Sequence, residues 1–157
     1  MDHHFYMDLA IEEAKKAAEQ GEVPVGALVV CEGEILAQAH NLKEQMHDPT
    51  AHAEILVLQA AAKKLNRWRL TDCILYVTLE PCPMCAGAMV QARLGQLVYG
   101  LADSKSGAVE SVVNLVQNKE LNHQVKVLAG YREMEIRELM REFFQTRRQP
   151  GDADQIT

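Results

Sequence analysis

No apolar run in the chain approaches the ~20 residues that a membrane helix needs. Runs such as 27–31 and 55–58 stop far short. The opening Met1-Asp2-His3-His4 lacks the basic, then apolar, pattern of a secretion signal, so a cytoplasmic location and no membrane partner are expected. No stretch rich in proline, glycine or serine breaks the chain, and neither an internal repeat nor a low-complexity segment occurs. One domain is therefore expected over 1–149 of the 157 residues, with 150–157 as a flexible tail. Positive charge is in short supply: 16 Lys and Arg against 22 Asp and Glu give a formal net charge of −6. A nucleic-acid partner would have to be gripped by a local basic patch. Hydrophobic residues at 48% and charged residues at 24% exclude a disordered chain. The four cysteines, without an export signal, do not read as a disulfide framework. The close pair Cys82 and Cys85 points instead to metal or redox chemistry.

Met7, Ala10, Ile11, Ala14, Ala17 and Ala18 recur at helical spacing, and Gly21 supplies a stop, which predicts a first helix. Two short strands follow at 25–31 and 34–39, joined by Glu32-Gly33, a hairpin turn pair. After a polar stretch at 41–50, an apolar helix is expected from near Ala51 to about Leu65, then a buried strand at 73–79. Pro81 and Pro83 fall where a helix begins, since proline is tolerated in a first turn, and that helix is expected to reach about Arg93. Strands at 96–101 and 124–128 and a last helix at 131–148 complete the pattern; 111–117 is ambiguous and could form a short helix. This order predicts an α/β fold, a three-layer α/β/α sandwich around a five-stranded mixed sheet.

Cys82 and Cys85 are three residues apart at a helix start, so both sulfurs can face one point. The N–H groups there also favour the thiolate form that a metal requires. Two thiolates are too few for a closed tetrahedral site. Cys31 and Cys73, isolated in strands, read more readily as small buried apolar residues, and His52, at the start of the helix near Ala51, is the better third ligand. Residues two apart on a helix point about 200° away from each other. His52 and Glu54 can therefore share a target only at the first turn, with the helix end aimed at the metal. Zinc held by His52, Cys82 and Cys85 keeps a fourth position open, where a water ionises near neutral pH. Glu54, near that water but off the metal, could carry its proton to a leaving group. Taken singly, the pair of cysteines could be a dithiol or half a zinc ribbon, His52 a helix cap, and Glu54 a dipole partner. Together they form a specific constellation.

His52-x-Glu54 followed by Pro81-Cys82-x-x-Cys85 resembles the zinc-dependent cytidine and deoxycytidylate deaminase superfamily. The runs 22–27, 48–54, 79–88, 99–100 and 107–108, with Asn41, Asn122-His123, Phe143-Phe144 and Arg147-Arg148, are similar to one branch of it, the tRNA adenosine deaminases. The likeness covers about residues 5–148; residues 42–46 follow no recognised pattern. The resemblance implies a cytidine deaminase-like fold and one zinc ion per chain. It further implies hydrolytic deamination of the wobble adenosine in a tRNA anticodon loop, with Glu54 as proton shuttle. By the same resemblance, substrate contacts from Asn41, Val25, Leu79 and Asp103, and a homodimer meeting near residues 86–93, are expected. Asn41 also reads as an ordinary turn residue after a strand.

Lys63, Lys64, Arg67 and Arg69 surround Trp68, and Arg137, Arg141, Arg147 and Arg148 share the last helix with acids. Basic side chains beside an aromatic suit phosphate contact with stacking on an unpaired base. The alternative is a solvated helix end with Trp68 packed inward. A deaminase of a free base or nucleoside could use the same zinc site. A structural zinc module closed by His47 or a spare cysteine would leave Glu54 without a role.

Overall fold

The computed structural model describes residues 2–147. Its elements are α1 (His3–Glu19), β1 (Gly26–Cys31), β2 (Glu34–His40), α2 (Ala53–Leu65), β3 (Cys73–Leu79), α3 (Pro83–Gln91), β4 (Gln96–Leu101), β5 (Lys126–Leu128) and α4 (Glu133–Arg147). The predicted tail at 150–157 and the predicted helix end at Arg148 lie outside the described residues. The strands form one sheet in the order β2-β1-β3-β4-β5. β1 runs antiparallel to both its neighbours, and β3, β4 and β5 are parallel. The sheet is mixed, as the element order predicts.

The β1–β2 turn takes positive φ at both central residues, 50° at Glu32 and 79° at Gly33. That backbone matches the twist of a tight hairpin. β1 is buried along its whole length because both of its faces are covered. Leu28 and Val30 point to one side, where they pack with Met7, Ala10 and Ile11 of α1 and Ile136 of α4. Ala27 and Val29 point to the other, against Val57 and Ala61 of α2 and Met89 of α3. Period-two alternation in the central strands thus loads two apolar cores, giving the predicted three layers. Gly26 is where α1 presses hardest on the sheet: a Cβ there would collide with the Ala10 carbonyl oxygen.

Several expected boundaries shift: the strand expected at 124–128 covers only Lys126–Leu128, and the last helix starts at Glu133 rather than 131. The second helix starts at Ala53 rather than near Ala51, because His52 takes extended backbone (φ −80°, ψ 148°) as its N-cap. The third ends at Gln91 rather than Arg93, since Arg93 turns left-handed with φ 55°. The ambiguous segment 111–117 forms no helix and folds as turns and irregular chain. There the N–H groups of Val112 and Leu115 go back to the carbonyls of Gly107 and Ala108, and that of Gln117 goes to the Asn114 side chain.

The register decides where function can reside. Asn41 N–H donates to the Val25 carbonyl at 3.1 Å, just beyond the Gly26–His40 pair. Leu79 pairs with Leu101 at the ends of β3 and β4. The start of β1 and the ends of β2, β3 and β4 therefore meet at one edge of the sheet, beside the beginnings of α2 and α3.

Candidate metal centre

His52 and Cys82 occupy equivalent positions, each the N-cap of a helix and each without a capping hydrogen bond from its side chain. Released from capping, both side chains project off their helix ends. Cys82 sits in extended backbone ahead of Pro83, which takes the first helical turn where its missing N–H costs nothing. Cys85 lies in that first turn and is fully buried. His52 Nδ1 is 3.6 Å from Cys82 Sγ and 3.4 Å from Cys85 Sγ. All three donor atoms lie within 4.8 Å of one another. A tetrahedral ion with bonds of about 2.0–2.3 Å spaces its ligands by roughly 3.5–3.8 Å, so this donor set fits such an ion.

The capping that His52 does not supply comes from Asn41. Its Oδ1 accepts the Ala53 N–H at 2.9 Å, and its Nδ2 donates to the Val23 carbonyl at 3.2 Å. Asn41 thus ties the start of α2 to the chain entering β1.

Electrostatics separate the titratable groups. The hydrogen bond from the Cys85 thiol, followed by that from His52, pulls the Cys82 thiol down to about 4. Cys85 moves up, because its proton is held by Cys82 and because it is buried. The bond to Cys82 raises His52. Glu54 is 4% exposed, and burial pushes its carboxyl up to about 7. A proton there is exchangeable near neutral pH, as proton-transfer work requires.

Val25 is buried and Leu79 half-buried at the shared sheet edge, and Asp103 follows β4 by two residues. The Asp103 carboxylate folds its own loop, accepting N–H groups of Lys105 at 3.0 Å and Ser106 at 3.3 Å.

Two acids escape a sequence reading. Glu22, 1% exposed, accepts the N–H groups of Glu44 at 3.0 Å and Gln45 at 2.8 Å, which orders residues 42–46. Glu80, 2% exposed, accepts N–H groups from the segment after β4. Burial pushes Glu80 up, but hydrogen bonds from Glu110, Ser111 and Asp103 outweigh it and hold the carboxyl below its usual value. The available signal was a carboxylate abutting a strand of apolar residues, where it must find donors.

Cys31 and Cys73 are not isolated. They are register partners at the opposite edge of the sheet, with Asp72 beside them. Burial raises both thiols, Cys73 to about 12, and Asp72 is engaged by Arg67 at 2.7 Å. Trp68 is 56% exposed, so it does not pack inward; the Arg69 guanidinium lies 5.0 Å from its ring centre. Ile55, Leu58, Ala62, Trp68, Ala88 and Ala92 line an apolar groove along α2 and α3.

A family model described as MafB19-like deaminase matches residues 1–148. The chain is 50% identical over 148 residues to a tRNA-specific adenosine deaminase of Bacillus subtilis (strain 168), covering 94% of this chain and 92% of the relative. It is 47% identical over 144 residues to the protein of that name from Aquifex aeolicus (strain VF5), covering 92% and 95%. A solved structure from studies of A-to-I editing by tRNA:A34 deaminases superposes with a TM-score of 0.83 at 44% identity, covering 86% of this chain and 98% of the other. A guanine deaminase structure from Bacillus subtilis gives 0.64 at 36% identity, covering 73% of each chain.

Proposed function

The chain belongs to the MafB19-like deaminase family, and from that premise we propose that it hydrolyses the wobble adenosine of a tRNA anticodon to inosine, releasing ammonia. The observation that carries this reading is the convergence of His52, Cys82 and Cys85 beside buried Glu54. It stands in a chain half-identical, nearly end to end, to a tRNA-specific adenosine deaminase. The three donors make a metal cofactor part of the site, and two sulfurs with one imidazole suit zinc. Zinc bound there supplies a Lewis acid that lets water act as a nucleophile near neutral pH.

The remaining work belongs to the chain. Glu54 takes one proton of the attacking water and passes it to the ring nitrogen beside the attacked carbon, then moves the proton of the new C–OH to the amine, which leaves as ammonia as the carbonyl forms. Its buried position keeps bulk water from competing for that proton. Val25, Asn41, Leu79 and Asp103 form the walls that hold the base against Glu54. An anticodon loop is already single-stranded, so little unpairing opposes entry of the base.

The catalytic unit spans residues 1–149 and works in the cytoplasm as a homodimer. The apolar groove between α2 and α3 is its meeting surface, and the partner widens the face that grips RNA despite the net charge of −6. No helix among the described residues is long and apolar enough to cross a membrane. A second reading, deamination of a free base, draws on the guanine deaminase likeness. The test is to incubate zinc-loaded protein with a tRNA anticodon stem-loop, free adenosine, guanine and cytosine, and to assay ammonia and the deaminated products. Inosine from the stem-loop alone is expected. Turnover of guanine or cytosine without stem-loop turnover would overturn the assignment.

A further inference from the structure

Glu80 joins the end of β3 to the turn that carries Cys82, and among the described residues its carboxylate takes its donors from one segment. Oε1 accepts the Asp103 N–H at 3.0 Å. Oε2 accepts those of Val109 at 3.1 Å, Glu110 at 2.8 Å and Ser111 at 3.0 Å. The Ser111 hydroxyl also reaches Oε1. The loop closes so tightly here that a Cβ on Gly107 would collide with the Glu80 carboxyl carbon and the Asp103 carbonyl oxygen. A second attachment runs beside the first, from the Ala108 N–H to the Pro81 carbonyl at 2.8 Å. Only an ionised carboxylate offers two oxygens to so many donors; an amide would turn its NH₂ toward N–H groups. The loop is thus clamped at both ends to the two residues that precede a metal ligand.

We infer that Glu80 is a positioning residue: it fixes the 103–111 loop as one wall of the substrate pocket and locks that wall in register with the Cys82 turn. The inference rests on the reading of Asp103 as a pocket residue in a tRNA deaminase. Glu80 itself touches neither base nor metal; it acts through the loop.

Two variants of the full zinc-loaded chain test this. Glu80→Gln weakens the clamp, while Gly107→Ala keeps the carboxylate and forces the loop off it. Amide exchange over 103–111, zinc content, and kcat and KM on an anticodon stem-loop are measured together. Both variants are expected to lose protection in 103–111 while α1 and β1 keep theirs. Both should retain zinc and lose about 10²-fold in kcat/KM, the scale set by misplacing a binding wall by an ångström. Ser111→Ala, which removes one donor, should show the same defect more weakly. If Glu80→Gln does not fold, Gly107→Ala decides alone. A native-like loop, loss of protection spread over the whole sheet, or full kcat/KM with a loosened loop would each overturn the inference. Should wild-type protein make no inosine, the functional reading fails, and the exchange data still decide whether Glu80 holds the loop.

Discussion

Replacing Asn41 by alanine tests how the metal-ligating helix end is held. Asn41 Oδ1 is the side-chain acceptor for the Ala53 N–H, and Ala53 is fully buried, so the variant orphans a sealed donor. A buried unsatisfied N–H costs about 1–3 kcal/mol, comparable to the loss of a strong helix cap. For a domain of this size each kcal/mol lowers Tm by roughly 2–4 °C, so a drop of about 2–12 °C is expected. Asn41→Asp keeps the acceptor and should recover most of that loss, although the bond from Nδ2 to the Val23 carbonyl at 3.2 Å is gone. Since His52 precedes Ala53 and Glu54 follows it, loosening this cap shifts both side chains, and turnover should fall with stability. The assay is thermal unfolding by circular dichroism in excess zinc, paired with amide exchange at the start of α2. Unchanged Tm and unchanged protection at Ala53 in Asn41→Ala would show that Asn41 does not hold the start of α2.

Cys82→Ser and Cys85→Ser should each lose bound zinc and melt at lower temperature, because ligand binding and folding are coupled; metal analysis after gel filtration checks this. The wild-type chain should scatter light as a dimer at micromolar concentration. Ala88→Arg, which sets a charge in the α2–α3 groove, should give a monomer with weakened tRNA binding. Gly26→Ala drives a methyl group into the Ala10 carbonyl and should destabilise the fold by about 1–3 kcal/mol in urea titration.

What could be read from the sequence was local. Glu32-Gly33 announces its hairpin because two adjacent residues determine the turn, and the stripe Met7-Ala10-Ile11-Ala14 announces a buried helix face. The starts of the helices after His52 and Cys82 were legible to within about two residues for the same reason, each lying beside a change from polar or proline-containing chain to apolar periodicity. The rest depends on pairings distant in sequence. The donors to Glu80 lie 23 to 31 residues downstream, and those to Glu22 lie 22 and 23 residues away. The segment 111–117, ambiguous in sequence, forms no helix: the N–H groups of Val112 and Leu115 turn back to the carbonyls of Gly107 and Ala108, and that of Ser111 goes to Glu80. Cys31 and Cys73 look isolated until the β1–β3 register sets them opposite each other. Asn41 resembles a turn residue in sequence, and only the fold brings Ala53 to its oxygen.

If Glu54 carries the proton, Glu54→Gln removes that step and leaves the metal ligands in place. Glutamine keeps the size and much of the hydrogen bonding but cannot take a proton from water. Zinc content, stem-loop binding and single-turnover inosine formation should be measured on that one protein. Zinc and RNA binding are expected to be retained, with the rate of inosine formation lowered about 10²–10⁴-fold, the usual contribution of a positioned acid–base group. Near-normal inosine formation with full zinc would contradict the account.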